Sequence, residues 1–332
     1  MPTQCLISFG SNLGDRDAVV ARAARLIDRS GVVARPSDLS LDCQTGLRTS
    51  RLFETPPIGG PGGQSPFLNA VAAFVTEASA ADVLDVLQQT EEELGRLRQD
   101  RWGARSIDLD VVMHGRLCGE SRAGHRGLIG GRGPVGSANA LVVPHPRYTA
   151  RKFVVVPACD VAADFCDPRF GWTLADLANH LDAAPPSMAL TGGDESLRRT
   201  ICNRLADEYS IAIVDADSFS SNEVQNGGWD PGKPWVSPNV PSSLIEKISN
   251  PDFVWDAIDV NRLPRLIARI ERTTEATRWP APHRIWPASW RWPEYRLEVD
   301  DLDWAVSEIA SALDSMCCDA EPLTDDGNWW QR

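Results

Sequence analysis

Apolar positions in the first half of the chain fall into short alternating runs separated by helical stretches, and their order predicts a fold. Leu6 to Phe9 reads as a strand, Gly10 to Asp15 as a turn ending in a helix cap, and Val19, Ala23, Leu26 and Ile27 recur at the helical period. Residues 31–50 read as a polar loop, longer than compact domains usually need, before a strand through Leu52 and Phe53 that stops at Thr55-Pro56-Pro57. The run Gly59-Gly60-Pro61-Gly62-Gly63 excludes regular structure. Asn69 to Thr76 is a third strand, and Ser79 with Asp82 opens a helix carrying Val83, Leu84, Leu87 and Leu94 that ends at Gly95. Ser106 to Met113 alternates as a fourth strand. The order βαββαβ predicts an α+β domain of the ferredoxin-like kind, an antiparallel sheet with helices on one face.

Residues 115–140, rich in Gly, Arg and Ser, read as a mobile surface excursion, followed by an apolar run Val154 to Val156 and a short helix at Thr173 to Leu181. Asp182 to Pro186 reads as the boundary, dividing the chain into domains 1–186 and 187–332. Beyond it the pattern predicts strands at Met188 to Leu190, Ile211 to Val214, Phe253 to Ile258 and Tyr295 to Val299. Helices are predicted at Ser196 to Tyr209, Leu263 to Thr274 and Asp303 to Met316. Strands alternating with helices imply a second, α/β domain with a largely parallel sheet.

Composition narrows the classes. The chain has 332 residues and a net charge of -13, enough length for about two domains. No run of roughly 18 apolar residues and no basic-then-apolar N-terminus occurs, so neither a membrane span nor a secretory signal is expected, and a cytoplasmic protein is. The acidic balance argues against nucleic-acid and membrane-surface binding. The eight Cys show no C-x-x-C and no zinc-ligand spacing to His, which points to free thiols; adjacent Cys317 and Cys318 are expected to oxidise only in vitro. The charge is uneven: residues 1–186 hold 19 basic and 21 acidic residues, net -2, whereas 187–332 hold 14 and 25, net -11. Ten of the 19 basic residues fall between Arg96 and Arg151, which suggests an anionic, phosphorylated small molecule.

The densest chemistry lies in Arg101-Trp102-Gly103-Ala104-Arg105-Ser106-Ile107-Asp108-Leu109-Asp110. Residues two apart on a strand share a face, so Asp108 and Asp110 project together while Ile107, Leu109 and Val111 turn towards the helices. Adjacent carboxylates repel, and a hard cation relieves them; Mg²⁺ takes one or two carboxylates and fills its other positions with water and substrate phosphate. Arginines 96, 98, 101 and 105 precede the pair and suit bidentate contact with phosphate oxygens. A solvated strand face is the plain alternative for a bare D-x-D.

Six motifs in order carry a resemblance. They are Gly10-Ser11-Asn12-Leu13-Gly14, Glu54 to Gly59, Phe67-Leu68-Asn69-Ala70, Gly95-Arg96 with Arg101 to Asp110, Pro144-His145-Pro146, and Arg151-x-Phe153. Over about residues 3–182 the chain resembles the 6-hydroxymethyl-7,8-dihydropterin pyrophosphokinases of folate synthesis. The resemblance implies transfer of pyrophosphate from ATP to the pterin hydroxymethyl group with release of AMP, and two Mg²⁺ held by Asp108 and Asp110. It implies Arg96 and Arg105 as catalytic with those carboxylates, and Glu91, Arg96, Arg101, Trp102, Arg105, Val111, His145 and Arg151 at ATP. It implies the pterin between Phe67 and Phe153, with Thr55, Pro56, Ile58 and Asn69 reading its edge. Ala104 replaces a usual Pro and Gln99 a frequent Lys, and the loops at 35–50 and 116–140 are lengthened, which bears on lid closure.

In the second half, Met188 to Gly193 followed by a helix resembles a phosphate-binding loop, as in P-loop nucleoside or shikimate-type kinases. Gly193 to Thr200 has the length of G-x-x-x-x-G-K-[ST], but Arg198 stands at the second Gly and Arg199 at the Lys. A structural or regulatory domain is therefore expected. Trp279, Trp286, Trp290 and Trp292 read as a local mini-core. A non-catalytic binding protein derived from both kinases is the alternative reading of the whole chain.

Overall fold

The structure, a computed structural model, describes residues 2–35, 46–60, 62–96, 105–122, 140–215, 232–250, 263–271, 290–299 and 301–331. It is a mixed α/β chain in two compact units, Met1–His145 with Pro157–Ala163 and Ala320–Arg332, and Pro146–Val156 with Asp164–Asp319. The sequence boundary at 186/187 thus lies inside the second unit, and the C-terminal residues belong to the first. No helix among the described residues is long and apolar enough to cross a membrane.

The first unit runs β1 (Thr3–Ser11), α1 (Arg16–Arg29), β2 (Arg48–Thr49), β3 (Phe53–Thr55), β4 (Phe67–Thr76), α2 (Ala80–Glu93) and β5 (Asp108–His114). Its sheet is antiparallel, in the order C-terminal strand Glu321–Pro322, β3, β4, β1, β5, with β2 also on β4. Asp15 caps α1 by accepting from the Ala18 amide, and Ser79 and Asp82 form a reciprocal capping box on α2. Alternation on β1 puts Cys5, Ile7 and Phe9 into a core with Val20, Ala24, Ile27, Val83 and Leu87 of the two helices. Ser8 and Gly10 face the other way.

Two stretches expected to be loops contain strand. Arg48 and Thr49 pair with β4, so the end of the 31–50 stretch is strand; residues 36–45 lie outside the described residues. The base of the 115–140 excursion is a hairpin of β6 (Gly119–Arg122) and β7 (Ala140–Val143), with Leu141 and Val143 in the core. Its remainder, 123–139, is outside the described residues.

The apolar run at Val154 belongs to α3 (Lys152–Ala162), and the short helix is α4 (Leu174–Asp182). The second unit continues with β8 (Ser187–Thr191), α5 (Glu195–Tyr209), β9 (Ala212–Ile213), β10 (Trp235–Ser237), α6 (Ser242–Ile248), β11 (Leu266–Glu271), β12 (Glu294–Glu298) and α7 (Leu302–Met316). The sheet is parallel, in the order β12-β11-β8-β10-β9.

The helix expected at Leu263 to Thr274 is instead the inner strand β11, paired on both sides. A strand buried on both faces of a parallel sheet reads as a continuous apolar run, and Leu263, Leu266, Ile267 and Ile270 fit that pattern as well as a helical period. The strand expected at Phe253 to Ile258 lies outside the described residues, as do Trp279 and Trp286. Trp292 is buried in a cluster with Val240, Leu244 and Ile267, with Trp290 packed on it, so that part of the tryptophan group is a core.

Candidate active site

Register builds the site. Gly10 lies opposite Asn69 on β4 and opposite Asp108 on β5, and Asn69 lies opposite Phe53 on β3. Residues in register share a face of the sheet, so Asn69, Gly10 and Asp108 form one row across three strands, away from the helices that cover Phe9 and Leu109. Ser8 lies opposite Asp110, which puts the second carboxylate on the same face, as the strand period predicts. A Cβ on Gly10 would stand 3.5 Å from Asn69 Oδ1 and 3.9 Å from both Asp108 Cβ and Phe67 Cδ1. Glycine leaves the middle of the row open without any backbone requirement.

At the β5 end the charges interlock. Arg96 donates to Asp108 at 2.8 Å and to Glu91, and Arg105 donates to the other Asp108 oxygen at 2.5 Å. Glu91 is buried beneath the strand and accepts from the Leu109 amide at 2.8 Å. Burial pushes its carboxyl up to about 7, against the pull of Arg96 and of that amide. For Arg96 burial acts downward, but Asp108 and Glu91 outweigh it and hold the guanidinium above its usual range. Glu91 therefore orients Arg96 from below. His145 Nε2 lies 3.9 Å from Asp110 Oδ2, its main chain fixed by its amide N–H donating to Val112 O at 2.8 Å. The Val111 side chain is buried in the core, which leaves its main chain as the part able to meet a ligand.

At the β3 end the Asn69 amide donates to Thr55 Oγ1 at 2.8 Å, both side chains buried. Phe67 is half-buried at the start of β4, and Pro56 and Ile58 lie just after β3, Pro56 exposed. Two residues outside the expected site tie these parts together. Asn12 is buried, accepts from the Arg105 amide at 2.8 Å, donates its own amide to Arg105 O at 3.1 Å, and reaches Gln64 Oε1 at 3.1 Å. Arg16 bridges the two strands beside the turn, with 2.6 Å to Pro66 O and 3.0 Å to Glu54. A polar residue inside Gly10-Ser11-Asn12-Leu13-Gly14 is the available sequence signal for Asn12; nothing in the spacing marks Arg16.

Arg101 and Trp102 lie outside the described residues. Arg151 and Phe153 belong to the second unit, where the Arg151 guanidinium stands 5.9 Å from the Phe153 ring centroid. In that unit the loop after β8 turns through Gly192 and Gly193, both at positive φ, into α5 capped by Asp194. Arg198 folds back over it, donating to Gly192 O at 2.8 Å, Pro238 O at 2.6 Å and Asn239 Oδ1 at 3.1 Å. An internal cation thus sits on the loop carbonyls. Arg199 pairs with Glu195 at the surface.

The donor set suits magnesium. Among the described residues no group of three or more His, Cys, Asp or Glu converges as a protein-only metal cage would require. Asp108 and Asp110 instead offer two partly exposed carboxylates on one face, which is what a cation completed by water and phosphate needs.

A family model described as 7,8-dihydro-6-hydroxymethylpterin-pyrophosphokinase matches residues 6–163. The 2-amino-4-hydroxy-6-hydroxymethyldihydropteridine pyrophosphokinase of Bacillus subtilis is 32% identical over 155 residues, 47% of this chain and 75% of that protein. The protein of the same name from Methylorubrum extorquens is 33% identical over 165 residues, 49% of this chain and 84% of its own. The folic acid synthesis protein fol1 of Pneumocystis carinii is 31% identical over 224 residues, 66% of this chain and 26% of that longer protein.

Proposed function

The chain belongs to the 7,8-dihydro-6-hydroxymethylpterin-pyrophosphokinase family, and from that premise we propose that its first sheet transfers pyrophosphate from ATP to 6-hydroxymethyl-7,8-dihydropterin in folate biosynthesis. The observation that carries this reading is the row Asn69–Gly10–Asp108, which sets a buried amide and a carboxylate on either side of an open glycine.

In this reading the pterin edge meets Asn69 and Thr55, with Phe67 against the ring and Pro56 and Ile58 beside it. Phe153 is assigned to the other ring face on the family resemblance. Asp108 and Asp110 hold two Mg²⁺, which when bound neutralise triphosphate charge. Arg96 and Arg105, which share Asp108, turn their free donors to phosphate oxygens, and His145, Arg101, Trp102 and Arg151 complete the ATP side with the Val111 main chain. The pterin hydroxyl oxygen bonds to the β-phosphorus, the bond from that phosphorus to the α–β bridging oxygen breaks, AMP departs with that oxygen, and the hydroxyl proton is released. Catalysis is positioning and electrostatic stabilisation.

The strand order supports a ferredoxin-like fold for the first unit. In the second, the central β8, its glycine loop and α5 support a P-loop-kinase-like fold. Arg198 favours a non-catalytic role for that unit, since it stands where the loop motif has its second glycine and commits its guanidinium donors to Gly192 O, Pro238 O and Asn239 Oδ1 and not to a phosphate. We assign a cytoplasmic location, and on the acidic composition no nucleic-acid or membrane-surface partner. Product tracing tests the reaction: label from α-labelled ATP is expected in AMP and label from the β position on the pterin. ADP or orthophosphate as the labelled products would reject it.

A further inference from the structure

We propose that the C-terminal segment from Glu321 to Trp330 positions the pterin side of the site by closing the open edge of β3. This inference rests on the pterin reading given above. β3 is three residues long and has β4 as its partner on one side, so its other edge would present unpaired backbone groups. The C-terminal segment supplies their partners. Glu321 and Pro322 pair with Glu54 and Phe53, the Leu323 amide donates to Leu52 O at 2.7 Å, and the Leu52 amide donates to Thr324 Oγ1 at 3.0 Å.

Two indoles lock this seating. Trp329 Nε1 donates to Ser50 O at 2.8 Å and its ring meets Phe9 edge-on at 6.4 Å, beside Gly10 in the chain. Trp330 is buried, donates to Thr49 Oγ1 at 2.9 Å, and its carbonyl accepts from Arg25 at 2.7 Å. Just before these indoles the chain passes so close to β2 that a Cβ on Gly327 would stand 1.8 Å from Thr49 O. Only glycine fits there.

The consequence for binding follows from register. Phe53 is opposite Asn69 and Thr55 opposite Phe67, so the position of β3 sets the Thr55 hydroxyl on the Asn69 amide. Asp108 and Asp110 lie on β5, with Arg96 and Arg105 paired to Asp108, across β4 and β1 from this edge. Loosening the segment should therefore weaken pterin binding and spare ATP binding, whereas a segment that only adds stability would reduce the amount of active enzyme and leave both KM values alone.

The test uses the full chain with Gly327→Ala and Trp330→Phe. In Gly327→Ala, KM for the pterin is expected to rise about tenfold with KM for ATP unchanged. Amide exchange at Leu52 and Leu323 should accelerate in the same variant. Trp330→Phe keeps an aromatic ring in the core, loses the indole N–H bond to Thr49 Oγ1, and should show the same pattern more weakly. It decides the matter if Gly327→Ala does not fold. Accelerated exchange at Leu52 with an unchanged pterin KM would overturn the proposal. A wild-type chain that releases no AMP would instead remove the pterin reading on which it rests.

Discussion

Gly10 is the residue on which the site turns. Its backbone needs no glycine, and an added methyl meets its neighbours at ordinary contact distance, so Gly10→Ala should fold normally while filling the space between Asn69 and Asp108. Steady-state kinetics should show kcat/KM for the pterin reduced at least about tenfold, with thermal unfolding close to wild type. Asn12→Ala should behave differently. It leaves the Arg105 amide without its acceptor and frees the loop at Gln64, at a cost of about 1–3 kcal/mol, and it should lower kcat/KM for both substrates. Unchanged ATP kinetics in Asn12→Ala would deny that the residue ties the two halves of the site. Asp108 and Asp110 are legible in the sequence because a period of two on a strand fixes their common face. Asn12 is visible there only as part of a motif, since its role depends on partners far away along the chain.

Strands are legible where alternation or flanking turns bound them. At the site Gly10, Asp108 and Asp110 alternate with Phe9, Leu109 and Val111, which locates β1 and β5 with small errors at the ends, whereas β4 is buried on both faces and is located as an apolar run between turns. β11 reads as a helix because it is buried on both sides and carries no period-two signal. The short β10 and α6, between Pro234 and Asn250, give no signal long enough to recognise. The joining of α4 to β11 carries a pH prediction. His180 on α4 is buried between Trp172 and Trp292, its Nε2–H donating to Arg265 O at 2.9 Å. Burial, reinforced by the Arg265 guanidinium, pushes it down to about 3 from an ordinary 6.5. Above 6.5 both folded and unfolded chains hold it neutral. As pH falls from there towards 3, the unfolded chain takes up a proton that the folded protein excludes, so this residue costs about 1.4 kcal/mol of stability per pH unit. Denaturant unfolding at pH 7 and pH 5 should show a steeper acid loss in wild type than in His180→Gln. Equal slopes would contradict the neutral, buried imidazole.

At the scale of the whole molecule, the uneven charge of the sequence already divides the chain in two. A near-neutral part with clustered arginines holds the two carboxylates, and an acidic part holds a glycine loop covered by Arg198. The cut, however, is not linear. The last residues return to the first sheet, and no periodicity could show this because a two-residue strand and a pair of indoles leave no pattern. A fragment ending at residue 186 therefore lacks the edge partner of β3 and is expected to be a poorer pterin binder than the full chain. In the proposed reaction the carboxylate face of the first sheet transfers pyrophosphate. AMP release from ATP, 6-hydroxymethyl-7,8-dihydropterin and Mg²⁺ tests it most directly, measured on the full chain and on Asp110→Ala. The wild type should release AMP, and the variant should be slower by about a hundredfold or more. No AMP from the wild type, or equal rates from both, would contradict it.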